Sequence, residues 1–99
     1  MIIVAGTVRI EPSRLDTARA EMEKMIKASR AEEGCIDYAY SVDVLDPHIV
    51  HVFEAWRDKE TLQRHFKMPH LASWRAAWTE IGVSDRKLQM YEIVANSPL

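Results

Sequence analysis

Cys35-Ile-Asp-Tyr-Ala-Tyr-Ser-Val-Asp-Val-Leu-Asp-Pro-His-Ile-Val-His-Val-Phe-Glu-Ala-Trp56 is the stretch that decides the fold. Ile36, Tyr38, Tyr40, Val42 and Val44 alternate with Asp37, Ala39, Ser41 and Asp43, the period of two expected of a half-buried strand. Asp46-Pro47 reads as a turn and residues 48–56 as the returning strand, so 35–56 is an antiparallel hairpin. On the return strand Val50, Val52, Glu54 and Trp56 share one face, while Ile49, His51, Phe53 and Ala55 share the other.

Upstream of the hairpin, Gly34 is placed to end a helix in the left-handed conformation. The helix itself shows in Leu15, Ala18, Met22, Met25, Ile26 and Ser29, spaced by threes and fours along one face, with Glu21, Glu23, Lys24 and Lys27 off it. Pro12 stops what precedes it, and Ser13 offers an N-cap with Asp16 three residues on. Residues 2–10 are β-branched and apolar on both faces: Ile2, Val4, Val8 and Ile10 on one, Ile3, Ala5 and Thr7 on the other. A strand of that kind is covered on both sides. In so short a chain helices cover one side, and a second copy of the chain is expected on the other.

Downstream, Asp58 caps a short helix in which Leu62, His65 and Phe66 share a side. Pro69 opens a second helix with Leu71, Trp74, Trp78 and Ile81 as its inner stripe, Gly82 closes it, and residues 86–95 read as a last strand. The order strand, helix, strand, strand, helix pair, strand fits an α+β, ferredoxin-like (βαββαβ) sandwich: a four-stranded antiparallel sheet with helices on one face, dimerising through the other. Residues 1–99 are expected to form one such domain.

A net charge of −2 without a basic run gives no electrostatic reason to expect nucleic acid or an anionic membrane as partner. The start of the chain has neither a basic leader nor a long apolar span, so a signal peptide and a membrane helix are not expected, and a reducing cytoplasm is the default location. Cys35, the single cysteine, has no partner for an internal disulfide and reads as structural. With glycine only at positions 6, 34 and 82, there is no phosphate-cradling loop for a nucleotide or dinucleotide. His48 and His51 point to opposite faces of one strand, and no carboxylate–histidine pattern has helical spacing, so neither a metal nor another cofactor is expected.

The candidate chemistry gathers between Phe53 and Trp74. Glu54 faces apolar neighbours, which penalises its charge unless a donor is near. Either His65 or His70 is that donor, making a proton-transfer pair near neutral pH, or Glu54 sits at a wet edge paired with Arg57, Lys59 or Arg64. Each histidine has an alternative role as a hydrogen-bond partner for a free backbone group at the break between the helices. Trp56, at the end of a strand, is placed to border a cavity and stack on a flat aromatic, while Trp74 and Trp78 have core spacing.

Glu32-Glu33-Gly34-Cys35, Tyr38, Asp46-Pro47, Glu54-Ala55-Trp56 and the run from Leu62 through His65 to Pro69-His70 together resemble the antibiotic biosynthesis monooxygenase (ABM) domain family, in particular its small quinol-monooxygenase-like members. The resemblance spans essentially the whole chain and implies a dimeric ferredoxin-like sandwich. It also implies a cofactor-independent monooxygenase that oxidises a small quinol or phenolic aromatic with dioxygen. On that reading Glu54, Trp56, His65 and His70 would be catalytic, with Thr7, Val52, Phe66 and Trp74 binding the substrate. Val52 stands where the polyketide-oxidising relatives carry asparagine, which counts against their particular substrate. Thr7 and the run Trp74-Arg75-Ala76-Ala77 replace the asparagine and histidine of the haem-degrading relatives. Met68 before Pro69-His70 lacks the capping hydroxyl of many relatives. Two other readings are an isomerase of a small phosphorylated ketone, with Arg9, Arg64, Lys67 and Arg75 as candidate cations, and a non-catalytic dimeric binding module.

Overall fold

The computed structural model describes residues 1–99. The elements run β1 (Ile2–Ile10), α1 (Leu15–Arg30), β2 (Cys35–Val42), β3 (Ile49–Trp56), α2 (Lys59–His65), α3 (Pro69–Ile81) and β4 (Val83–Glu92), with a 3-10 turn at Pro12–Arg14. The strands form one antiparallel sheet in the order β2-β3-β1-β4. This is the ferredoxin-like arrangement expected of the sequence.

One face of the sheet carries the core. Ile2, Val4, Val8, Ile10, Tyr38, Val50, Val52 and Trp56 are buried there against Ala18, Met22 and Met25 of α1 and Leu71, Trp74 and Ile81 of α3. The predicted inner stripes of both helices are thus the buried ones, except that Leu15, Ile26 and Trp78 are only half-buried. On the other face Ile3, Ala5 and Thr7 are half-buried and His51 and Phe53 exposed, with no helix over them. The molecule measures 40 × 31 × 19 Å, and its short axis is that of one helical layer on one sheet, at roughly 10 Å per layer.

Several boundaries differ from the sequence reading, each for a local reason. Ser13 does not cap α1: Pro12 starts a 3-10 turn, and the N-cap is Arg14, without a side-chain hydrogen bond. The helix ends at Arg30 with Ala31 as C-cap, so Gly34 (φ +90°) serves the following turn instead. Ile36 is not on the inner face: a bulge between Cys35 and Asp37 leaves it exposed and turns Cys35 toward the core. Val44 lies outside β2, fully exposed in the loop. That loop is held by Asp43 Oδ2, which accepts from the Leu45 and Asp46 backbone N–H groups. β4 starts immediately after Gly82, whose φ of +74° ends α3, rather than at Arg86.

Candidate active site

Four segments bring acids and imidazoles together on the helix side of the sheet. β3 supplies Glu54, set beside Tyr38 of β2 by the ladder. α2 supplies His65 from its last turn and α3 supplies His70 from its first. The turn between α1 and β2 supplies Glu32, a residue that no periodicity singles out.

Gly34 makes this convergence possible. A Cβ built on it would lie 2.3 Å from Thr61 Cγ2, so the turn packs directly on α2. The Gly34 carbonyl also accepts from the Arg57 N–H at 2.8 Å. α2 begins with a capping box in which Asp58 accepts from the Thr61 N–H at 2.9 Å and Thr61 reaches back to the Asp58 backbone. These contacts fix α2 against the turn and bring His65 to Glu32.

Glu32 Oε2 lies 2.6 Å from His65 Nδ1 and 2.8 Å from His70 Nε2. A carboxylate oxygen only accepts, so both ring nitrogens carry protons there. Burial lowers the pKa of His65, against the raising influence of Glu32, so its neutral form prevails at neutral pH. In the neutral ring with Nδ1 protonated, the lone pair is on Nε2, and Nε2 faces Glu54 Oε1 at 4.0 Å. Burial raises the pKa of Glu54, offset in part by the Trp56 indole N–H, which donates to Glu54 Oε1 at 3.0 Å. The arrangement is an oriented imidazole base whose free nitrogen looks at a carboxyl group that burial makes less acidic than usual.

A narrow cleft opens beside this pair. Glu54 and His65 line it together with the aromatic rings of Tyr38, Tyr40 and Trp74, while Phe66, Arg75, Trp78 and Arg86 stand nearer the solvent. Its free space is about 20 Å³, room for roughly one water, so a ring enters only as the exposed Phe66 side of the cleft yields. A larger groove of about 330 Å³ runs between α1 and β2, lined by Leu15, Met22 and Ile26, but it holds no imidazole and no buried acid.

Of the expected site residues, Glu54, His65, Phe66 and Trp74 line this cleft. His70 joins it indirectly through Glu32. Three expectations are corrected. Trp56 does not border a cavity: it is fully buried, packed on His65 with ring centroids 4.6 Å apart, and holds Glu54 by its N–H. Val52 is a core residue between the sheet and the helices. Thr7 pairs with His51 and so lies on the opposite face of the sheet from Glu54. The alternative ion partners of Glu54 are engaged elsewhere, Arg57 and Arg64 with Glu33 and Lys59 with Glu92.

Sequence reasoning missed Glu32 and Arg86 as site residues. Glu32 had one usable signal: an acid two residues before a glycine, at the mouth of the strand that pairs with Glu54. The structure also brings Glu32, His65 and His70 together as a possible metal-binding set, their donor atoms all within 4.8 Å of one another. Tetrahedral zinc, with bonds of about 2.0–2.1 Å, needs ligand atoms roughly 3.3 Å apart. The observed 2.6 and 2.8 Å separations are those of shared protons, and the three groups would have to spread to admit an ion. Cys35, with its thiol pushed up to about 11 mainly by burial, is not an activated nucleophile.

Comparison with known proteins agrees with this fold. The pattern that defines the family described as antibiotic biosynthesis monooxygenase matches residues 1–77. The uncharacterized protein sll1783 of Synechocystis is 26% identical over 98 residues, which are 99% of this chain and 67% of that protein. The provisionally named monooxygenase YcnE of Bacillus subtilis is 24% identical over 81 residues, 82% of this chain and 85% of its own. A crystal structure from Deinococcus radiodurans, provisionally named for the same family, superposes with a TM-score of 0.91 at 24% identity, covering 100% of this chain and 98% of that one. No helix is long and apolar enough to cross a membrane. The chain belongs to the antibiotic biosynthesis monooxygenase family.

Proposed function

We propose that the protein is a cofactor-independent monooxygenase that oxidises a small quinol or phenol with dioxygen. The observation that carries this reading is the aromatic-walled cleft with the His65 Nε2 lone pair and the Glu54 carboxyl at its inner end. An electron-rich ring becomes a good one-electron donor to dioxygen once its hydroxyl is deprotonated, so the protein's tasks are to bind, take a proton and exclude water. His65, held by Glu32, takes the hydroxyl proton. The ring anion then reduces dioxygen, and the two radicals combine at a ring carbon to give a peroxide. Protonation of the outer peroxide oxygen by His65 gives a hydroperoxide. His65, neutral again, then takes the proton from the ring carbon that bears it as the O–O bond breaks, the outer oxygen leaves as water with a second proton, and a carbonyl remains. The balance for a phenol is one dioxygen consumed, one oxygen atom retained as quinone and one released as water, with no other reductant.

Partner and assembly follow the same reasoning. The substrate is a small aromatic together with dioxygen, and the working form is a homodimer joined through the uncovered sheet face of Ile3, Ala5, His51 and Phe53. A dimer in this form also shields part of an apolar surface that a chain with 20 of 99 residues buried leaves open. One observation favours the isomerase reading, the pair of cations Arg75 and Arg86 at the cleft mouth.

The test is oxygen uptake by metal-stripped protein with naphthohydroquinones and phenols, measured against autoxidation, alongside an isomerisation assay with phosphorylated ketones. Protein-dependent uptake is expected. Isomerisation without uptake would replace the oxygenase reading.

A further inference from the structure

Five of the eight arginines are committed. Arg9 pairs with Asp46, Arg57 and Arg64 with Glu33, and Arg14 and Arg30 donate to the Glu80 and Tyr38 carbonyls. Arg19, Arg75 and Arg86 make no ion pair and no side-chain hydrogen bond; Arg19 lies in the groove between α1 and β2, whereas Arg75 and Arg86 both stand at the cleft. Each guanidinium lies over an aromatic ring of that cleft, Arg75 at 6.0 Å from the Phe66 centroid and Arg86 at 5.5 Å from that of Trp78. Such stacking holds the group in place while leaving its in-plane N–H donors free.

The backbone at Arg86 is arranged for this placement. Thr7 pairs with Lys87 and Arg9 with Ser84, so Asp85 and Arg86 together face Val8 in a bulge. Asp85 takes a φ of +48°, the one residue other than glycine with positive φ. Bulges of this kind re-aim a side chain, and a left-handed non-glycine residue in a strand is strain held by its surroundings. Here it directs Arg86 to the helix side of an edge strand, toward Trp78.

Trp78 adds a separate sign. Its indole Nε1 is the one buried side-chain nitrogen or oxygen without a hydrogen-bond partner, and Trp78 lines the same cleft. An unpaired buried donor is costly unless something accepts from it. Two uncommitted guanidiniums and an orphan N–H form a donor set without an acceptor, beside a wall of aromatic rings.

We propose that the cleft selects an aromatic that carries a carboxylate, Arg75 and Arg86 gripping the carboxylate and Trp78 Nε1–H donating to it while the ring lies against the aromatic wall. The proposal rests on the oxygenase reading for the identity of the ring, and it narrows the substrate class to hydroxylated aromatic acids. Glu54 is the acid closest to this chemistry, and its raised pKa limits the repulsion it would exert. Arg75 and Arg86 are close enough to act on the site's own groups, Arg75 lowering the pKa of His65 and Arg86 that of Glu54. The same positive field favours the deprotonated hydroxyl of a bound ring.

The test is equilibrium binding by calorimetry, which needs no turnover and therefore stands apart from the oxygen assay. Naphthalene-2-carboxylate and naphthalene-2-carboxamide differ in charge but little in shape. The acid is expected to bind at least about tenfold more tightly, with an advantage that shrinks as salt rises. Arg75→Gln and Arg86→Gln should each reduce that advantage, and Trp78→Phe should weaken the acid while keeping the ring. Circular dichroism confirms that the variants are folded. Equal affinity for acid and amide, or an advantage that survives in the double arginine variant, overturns the proposal. Displacement of the acid by glycerol phosphate at lower concentration than by benzoate overturns it in favour of a phosphorylated ligand. Tight binding of the acid, with no protein-dependent oxygen uptake from a hydroxynaphthoic acid, would leave this selectivity in place and remove the oxygenase reading alone.

Discussion

Glu32 holds both imidazoles of the site, His65 at 2.6 Å and His70 at 2.8 Å. His65→Gln should lower turnover roughly 10²- to 10⁴-fold, the usual contribution of a positioned base. Glu32→Gln keeps a hydrogen bond but no longer favours the tautomer with Nδ1 protonated, so it should also lose at least roughly 10²-fold. The pH profile separates the two roles. The base works when neutral, and burial places the His65 pKa below 6.5, so activity should rise through a value below 6.5 and then level off. Glu32 is among the influences that raise that pKa. In Glu32→Gln the remaining acid limb therefore moves to lower pH, and an unmoved limb would assign it to another group.

Glu54 gives a stability prediction of opposite sign to that of an ordinary paired acid. Its folded pKa is raised above 4.5 by burial, so the folded state binds the proton more tightly than the unfolded one. The ionised carboxyl is a cost above the folded pKa, and acidification toward 4.5 relieves it. Glu54→Gln, which can still accept from Trp56, should raise the melting temperature at pH 8, with a gain that fades as pH approaches 4.5. His65 acts in the other direction: its folded pKa is depressed, so below 6.5 the unfolded chain gains protons first and stability falls. Thermal melts of both proteins from pH 4.5 to 8 check both signs.

At the scale of elements, the turn at Gly34 and the bulge at Asp85 place the functional groups. Gly34→Ala meets Thr61 at 2.3 Å in a left-handed conformation, and overpacking alone should cost roughly 1–3 kcal/mol. Urea denaturation is expected to show that loss, with lowered activity in the folded fraction because α2 carries His65. An unchanged midpoint would mean that the turn does not set the α2 position. The hairpin and both helix stripes were legible in the sequence because their burial is one-sided: Ala18, Met22, Met25 and Ser29 are buried as their spacing predicts. β4 was misplaced because it is an edge strand, exposed along nearly its whole length, so Ser84, Asp85 and Arg86 show no alternation to read. The two bulges break parity without any signature residue, which hid both the outward turn of Ile36 and the inward aim of Arg86. Glu54 and His65 could be picked out because charge and imidazole stood among apolar neighbours. Glu32 had only its place before Gly34 to mark it, because its partners are 33 and 38 residues away in the chain.

The whole molecule is a sheet with helices on one side only, 19 Å through its short axis. The uncovered face contains Phe53, 41% exposed at the centre of the sheet. On the proposed assembly the unsubstituted protein is expected to sediment as a dimer, and Phe53→Asp as a folded monomer. A variant that stays dimeric would place the contact elsewhere.

The most direct measurement is a reaction of metal-stripped protein with a phenolic naphthoic acid under ¹⁸O-labelled dioxygen, with mass analysis of the product. The oxygenase account predicts one labelled oxygen atom in the quinone and the other in water, at a rate that collapses in His65→Gln. A product without label, or labelled product forming no faster than without protein, would contradict it.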